Sequence, residues 1–449
     1  YTMTVTVPSG QVAIANTREV SREETKDGLV RVRFAPTEPL PSYLVAWAAG
    51  PFDVVDAPAI PPNAARKRPL PLRGVAVKGR GKELAYALAH TGEILDVLER
   101  EIGIGYPYDK LDVIAVPDKG GAMENPGAVT FREWLLLVDD QKATVAQKRA
   151  FAGVMAHELA HQWFGDYVTM PWWDDIWLNE AFATWMGGRA TQAWRADTQA
   201  EIHQLERVMD AMGTDGLVSA RRIRQPIDTT HDISNAFDDI TYRKGGGVIA
   251  MFERFLGRDA WRRGIHDYLE KHRMGLATAD DLMASLSAAA GRDVGKAFKT
   301  FLDQPGVPLV EAKVTCEGSP RLLLSQSRYF PLGSKGDPTM TWQIPVCARY
   351  QVGAETKETC TLLEGKTGEL PLAGCPEWLH PNAAAAGYYR FVLPPADLDK
   401  LQKKGFAKLS TQERMALASS LRVGFSRGTS KAGDVYAALA PFALDAHPL

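Results

Sequence analysis

Apolar and polar side chains alternate along the first 56 residues. TMTVTV (2–7), QVAIAN (11–16), LVRVRFA (29–35) and YLVAWAAG (43–50) follow this pattern, and Pro8-Ser9-Gly10 and Asp27-Gly28 supply turns between them. A period of two predicts β-strands. A Pro-rich link, Ala57 to Leu72, then marks a boundary. Beyond it the period lengthens. Lys82 to Ile102 predicts an amphipathic helix, LDVIAV (111–116) a buried strand, and 129–131 and 135–138 shorter strands. After Thr144 helices are predicted over about 145–165, 178–195, 199–212, 241–256, 259–273, 278–290 and 293–302. Strand character returns at RLLLSQ (321–326) and WQIPV (342–346), and helical character at 396–403, 411–420 and 432–440. The chain therefore reads as multidomain α+β. Residues 1–56 are the C-terminal part of a β domain, 57–306 a small sheet followed by helices, and 307–394 a β-sandwich. Residues 395–449 begin a helical domain, because two or three helices bury too little apolar surface to stand alone.

Composition narrows the function classes. A net charge of −2 over 449 residues gives no electrostatic reason to expect nucleic acid or an acidic membrane surface. No run of eighteen apolar residues occurs, so no transmembrane segment is predicted in this stretch. Tyr1 falls in what reads as the middle of a strand, so the start is taken as internal and a preceding leader would be invisible. The last residues, Leu444 to Leu449, carry no recognisable targeting signal and do not read as a natural domain end. All four cysteines, Cys316, Cys347, Cys360 and Cys375, lie in the later β-rich segment. That even, confined set fits two disulfides and hence a periplasmic or secreted protein; four free thiols in a cytoplasmic protein is the alternative.

The candidate chemistry sits in the helical stretch. His157-Glu158-Leu159-Ala160-His161 is followed, after eighteen intervening residues, by Glu180. On a helix, His157 and His161 share one face a turn apart and can bind one cation. Glu158 points about 100° around the helix, where it can reach a water beside that cation. Glu180, on the next helix, can be the third ligand. Three N/O ligands with a fourth position open describe a catalytic zinc site. Upstream, Gly120 to Ala128 reads as a Gly-rich turn entering a strand, and its Glu124 could hold a cationic amine. Trp163, Trp172, Trp173, Trp177 and Trp185 read as core and cleft-wall packing, and Asn179 as a hydrogen-bonding neighbour of Glu180 rather than a ligand. Lys244 reads as a surface charge or a hydrogen-bonding neighbour of the site. His90, His203, His231, His266, His272, His380 and His447 have no ligand-like partners and read as surface or satisfied core.

Taken together, GAMEN (121–125), HELAHQWFGD (157–166), WLNEAFATW (177–185) and DDITYRKG (238–245) resemble the aminopeptidase N-like zinc exopeptidases, the gluzincins of peptidase family M1. YLVAWAAGPF (43–52), IGYPYDKLDVIAVPD (104–118), QPGVPLV (304–310) and GYYRF (387–391) extend the likeness over nearly the whole chain. The resemblance implies a thermolysin-like catalytic domain over 57–306 and one zinc ion per chain, held by His157, His161 and Glu180. It implies Glu158 as general base on the zinc-bound water and Tyr242 as hydrogen-bond donor to the oxyanion. Residue patterning alone would have left Tyr242 a packed helix-start aromatic. Glu124 would anchor the free α-amine of a peptide substrate. Gly121 and Ala122 would lend backbone contacts, Met123 would line the first side-chain pocket, and Asn125 completes the substrate-binding segment.

Two departures from the family pattern bear on this reading. Many relatives carry an acid seven residues after the third ligand, where this chain has Gly187, so a supporting contact is expected to weaken. Gly245-Gly246-Gly247 is richer in glycine than usual and predicts a looser turn. Two other functions fit the family resemblance less well. A catalytically silent scaffold would tend to lose ligands or base, and none is lost here. An epoxide-hydrolase-like relative would usually lack the β-sandwich.

Overall fold

The computed structural model describes residues 1–337 and 339–445. His447 and the last residues of the C-terminal stretch lie outside the described residues. The chain forms two compact units: Tyr1–Glu201 with Arg262–Ser285, and Ile202–Trp261 with Leu286–Leu449. Both mix helices and sheets, as the sequence pattern predicts.

In the first unit, β1 (Thr4–Pro8), β2 (Val12–Ala15), β3 (Glu19–Glu24), β4 (Leu29–Phe34) and β5 (Trp47–Gly50) form two small antiparallel sheets, β1-β4-β3 and β2-β5. In β4 every second residue is buried, Val30, Val32 and Phe34, against Val7, Ala13 and Ala15. β3 was not predicted: EVSREE is almost wholly exposed and carries no apolar face for the sequence to reveal. A third sheet follows, from β6 (Phe52–Asp56), β7 (Leu72–Val77), β8 (Leu111–Val116), β9 (Ala122–Met123) and β10 (Ala128–Arg132), in the order β6-β7-β8-β10-β9. Its three inner strands run parallel, with antiparallel strands at both edges. The crossover from β7 to β8 carries α1 (Ala85–Ile102), which ends at Gly103 in a left-handed conformation.

The Pro-rich link folds back onto α1. The buried Arg66 guanidinium bonds Glu99 at 2.8 Å and donates to the carbonyls of Pro61 and Arg68. The run 135–138, expected as a strand, instead enters a short helix, α2 (Glu133–Leu136). Its Leu135, Leu136, Leu137 and Val138 are all buried, and a short apolar run satisfies either geometry. The unit continues with α3 (Val145–Ala160), β11 (Val168–Thr169), α4 (Trp177–Trp194) and β12 (Gly275–Leu276), the last pairing in parallel with β11.

The second unit contains α5 (Ala200–Asp215, from residue 202 on), α6 (Thr230–Ile233), α7 (Gly245–Leu256) and two mainly antiparallel sheets. One has the order β17 (Thr367–Pro371), β14 (Arg321–Arg328), β13 (Pro308–Thr315), β19 (Arg390–Val392); the other β16 (Glu355–Leu363), β15 (Ile344–Val352), β18 (Trp378–His380). Two disulfides, Cys316–Cys375 and Cys347–Cys360, lie in this region, the second joining facing residues of β15 and β16. Helices Pro395–Lys400, Thr411–Ser426 and Ala432–Leu439 follow, the second opened by a capping box of Ser410 and Glu413. Among the described residues no helix is long and apolar enough to cross a membrane.

Candidate active site

Two helices of the first unit carry the metal-ligand candidates. The Thr144 side chain accepts from the Gln147 N–H at 3.1 Å and so caps α3, which buries Phe151, Ala152, Met155, Ala156 and Leu159. His157 sits on its last turn. His161 closes the helix and keeps helical dihedrals (φ −58°, ψ −24°), so the i, i+4 register survives the helix end. Glu180 occupies the first turn of α4. The helices touch at Gly187: a Cβ there would lie 3.1 Å from the His157 nitrogen and 3.3 Å from its Cα. Residue 187 is therefore a tight contact of backbone on backbone, where a Cβ would need the neighbour to give by a few tenths of an ångström.

The three ligand atoms converge. His157 Nε2 and His161 Nε2 are 3.1 Å apart, and each lies 3.3 Å from Glu180 Oε2. A tetrahedral ion with bonds of about 2.0 Å has ligand–ligand edges of about 3.3 Å. The His161 Nδ1 is 2.9 Å from the Phe164 carbonyl, which only accepts, so Nδ1 carries a proton and Nε2 is the nitrogen turned toward the other two candidate ligands. Burial alone would raise the Glu180 carboxyl, but His161 and His157 hold it below the ordinary range. Burial would lower the His161 pKa, yet Glu124 and Glu180 raise it well above the usual value. These opposed shifts have one cause: the pocket attracts positive charge at its centre. The donor set, two imidazoles and a carboxylate, fits zinc.

Around the triangle stand three further acids. Burial pushes the Glu158 carboxyl well above its ordinary range, reinforced by Glu124 and Glu180 and opposed by His161. Glu124 is buried, and its carboxylate has no ion-pair partner among the described residues. Gln162 ties these two segments together, its amide donating to the Glu124 carbonyl at 2.7 Å and to the Glu158 carbonyl at 3.3 Å. Asp166, which sequence reasoning did not single out, is buried with neither carboxylate oxygen hydrogen-bonded, and burial together with Glu124 raises its pKa well above the usual range. Its only sequence signal was its place in HELAHQWFGD, where an Asp after Gly reads as a turn.

The segment with Glu124 lies on the edge strand β9. The Gly121 carbonyl accepts from the Arg132 N–H at 2.8 Å, and Met123 pairs with Thr130. By alternation the Ala122 N–H and C=O face the open edge, free to pair with an extended peptide. The Asn125 amide donates to the Leu44 carbonyl at 3.2 Å, and Asn16 donates to the carbonyls of Leu44 and Pro126 at 3.0 Å each. Gly127 permits this contact: its φ is +71°, and a Cβ there would lie 2.2 Å from the Asn16 carbonyl oxygen. The Asn179 amide donates to the Tyr43 hydroxyl at 3.3 Å.

Tyr242 belongs to the second unit, in a π-helical turn, Ile240–Lys244, that runs directly into α7. Gly245, Gly246 and Gly247 are buried within α7, so the run expected as a loose turn is packed helix. Lys244, expected at the surface or beside the site, is fully buried against Asp215 at 2.9 Å. Of the tryptophans, Trp163, Trp177 and Trp185 are core, whereas Trp172 is half exposed. His380 is fully buried, and its Nε2 has no hydrogen-bond partner. Among the described residues, the other cluster with metal-ligand geometry is Cys347, Glu358 and Cys360, whose sulfurs are joined to each other.

The Peptidase family M1 domain matches residues 86–301. Aminopeptidase M1 of Arabidopsis thaliana is 34% identical over 409 residues, covering 87% of this chain and 44% of that protein. Aminopeptidase N of Lactobacillus helveticus is 38% identical over 346 residues, 76% of this chain and 39% of its own. The puromycin-sensitive aminopeptidase of Caenorhabditis elegans is 32% identical over 396 residues, 87% and 41%. The chain thus spans less than half the length of these curated relatives.

Proposed function

The chain belongs to peptidase family M1, and from that premise we propose that it is a zinc aminopeptidase, removing N-terminal residues from peptides with a free amine. The observation that carries the reading is the 3.1–3.3 Å triangle of His157, His161 and Glu180, with Glu158 and Glu124 beside it. One zinc ion held by those three residues would polarise the scissile carbonyl and acidify the attacking water. Glu158 takes the proton from that water and returns it to the leaving amine, a role worth about 10²–10⁴ in rate. The Glu124 carboxylate, buried and without a cation of its own, pairs with the substrate α-amine. That anchor fixes the distance from the amine to the reacting carbonyl, so only the first peptide bond is presented. The open edge of β9 at Gly121 and Ala122 pairs with the substrate backbone, and Met123 lines an adaptable apolar first pocket. Asn125 holds the segment in place through Leu44. The family match of DDITYRKG supports Tyr242 as donor to the developing oxyanion. We further propose four domains, 1–56, 57–306, 307–394 and 395–449, the second thermolysin-like.

The test compares a free-amine aminoacyl-anilide with its N-acetylated form on the full-length protein. The proposal expects the acetylated substrate to be cleaved at least about a hundredfold more slowly, and Glu124→Ala to erase most of that discrimination. Equal cleavage of both by the parent protein rules out the amine anchor.

A further inference from the structure

The π-helical turn that carries Tyr242 is held at both ends by charges the reaction does not use. At its C-terminal end, Lys244 Nζ bonds both oxygens of Asp215, at 2.9 and 3.1 Å, and donates to the Gln304 carbonyl at 3.2 Å. Asp215 also accepts from the Gly306 N–H at 2.8 Å and the Tyr388 hydroxyl at 3.1 Å. Lys244, Asp215 and Tyr388 are all fully buried. A buried ion pair stabilises little in sum, but with every lone pair and proton used it fixes geometry firmly. Here it pins the turn to the end of α5, to the residues entering β13 and to those preceding β19.

At the N-terminal end, Asp238 accepts from the Ile240 N–H at 2.8 Å and the Thr241 N–H at 3.3 Å. Arg221 grips that carboxylate through Nε at 2.9 Å and reaches the Thr241 hydroxyl at 2.7 Å and the Ala236 carbonyl at 3.2 Å. Between the clamps, the Gly245 N–H donates to the Ile240 carbonyl, the i to i+5 bond of a π-turn. Such turns are rare, and the alternative for this stretch is a regular α-helical turn. Relaxation would take one residue out of the turn and swing Tyr242 around the helix axis.

We propose that Asp215 and Arg221 are positioning residues: through Lys244 and Asp238 they clamp the π-turn at both ends and so fix where the Tyr242 hydroxyl lies. The inference rests on the reading of Tyr242 as the oxyanion donor. Asp215→Asn keeps the size and the acceptor for Gly306 but removes the charge facing Lys244. Arg221→Gln, at a partly exposed position, releases the other clamp and serves should Asp215→Asn fold poorly.

The experiment measures kcat and KM of full-length Tyr242→Phe, Asp215→Asn, Arg221→Gln and the Tyr242→Phe/Asp215→Asn and Tyr242→Phe/Arg221→Gln double variants, with zinc content and melting temperature as controls of folding. Removing the donor is expected to lower kcat by about a hundredfold. Asp215→Asn or Arg221→Gln should lower it about tenfold, with KM within about twofold, and should add nothing once Tyr242 is Phe. Full kcat in the folded clamp variants beside an impaired Tyr242→Phe overturns the inference alone, as does a clamp loss that adds in full to that of Tyr242→Phe. Parental kcat in Tyr242→Phe overturns the reading of the tyrosine itself and the inference with it.

Discussion

Replacing Gly187 by Ala tests whether the crossing of α3 and α4 sets the metal geometry. The added Cβ would sit 3.1 Å from the His157 nitrogen, and ordinary contact begins near 3.4 Å, so α3 must yield by about 0.3 Å. His157 is the residue pushed. Zinc sites tolerate shifts of only about 0.2 Å in ligand distance. Perturbing a supporting contact typically costs about 10–100-fold in metal affinity, and the small shift here points to the low end, about tenfold or 1.4 kcal/mol. Folding responds differently. Ala gains about 1 kcal/mol of helix propensity over Gly, against a crowding cost of about 1–3 kcal/mol. The metal-free protein should therefore lose only about 0–2 kcal/mol. The assay is competition with a chromophoric chelator on dialysed full-length protein, alongside melting of the metal-free form. Gly187→Glu forces a buried carboxylate against backbone and should weaken zinc by about a hundredfold. A zinc dissociation constant for Gly187→Ala within twofold of the parent would refute the argument that this contact positions His157.

Glu158→Gln should retain zinc and lose about 10²–10⁴ in kcat, because it keeps the side chain's shape but cannot take a proton; parental turnover in a zinc-loaded variant would remove Glu158 from the mechanism. A pH prediction comes from His380. The Asn382 N–H donates to its Nδ1 at 3.3 Å, its Nε2–H has no acceptor, and burial lowers its pKa to about 4. The unfolded chain takes up this proton near pH 6.5 and the folded chain does not until about pH 4, so stability is whole above pH 6.5 and falls by about 3 kcal/mol on the way down to pH 4. Denaturant titrations across that window should show a shallower acid loss in His380→Gln than in the parent, and parallel profiles would discard the assignment.

What the sequence could reveal follows from the range over which each feature is decided. The ligand pair on α3 depends on a spacing of four along one helix, and Glu180 on the start of the next, so local periodicity sufficed to propose the triangle. β8, with LDVIAV at 111–116, was equally plain because a continuous apolar run with β-branched residues has few other uses. The misses share the opposite property. β3 pairs through its backbone while exposing its side chains, and pairing of that kind leaves no side-chain pattern. Lys244 reads as a solvent charge until Asp215, 29 residues upstream in sequence, is found beside it. Asp166 reads as a turn residue until burial leaves both its oxygens without a donor.

Gly187 is the sharpest case, because the sequence reading and the structure bring out different contacts at it. An absent acid suggests a lost hydrogen bond, but the glycine has instead brought the backbone of α4 within contact of the residue that carries a ligand. The two helices that hold the triangle are then separated by main chain alone at this point. Such a contact has no side-chain flexibility to absorb a change, so an atom added at residue 187 presses on the backbone of His157. The candidate ligands are legible from local sequence, whereas the distance between their helices is decided where two backbones cross.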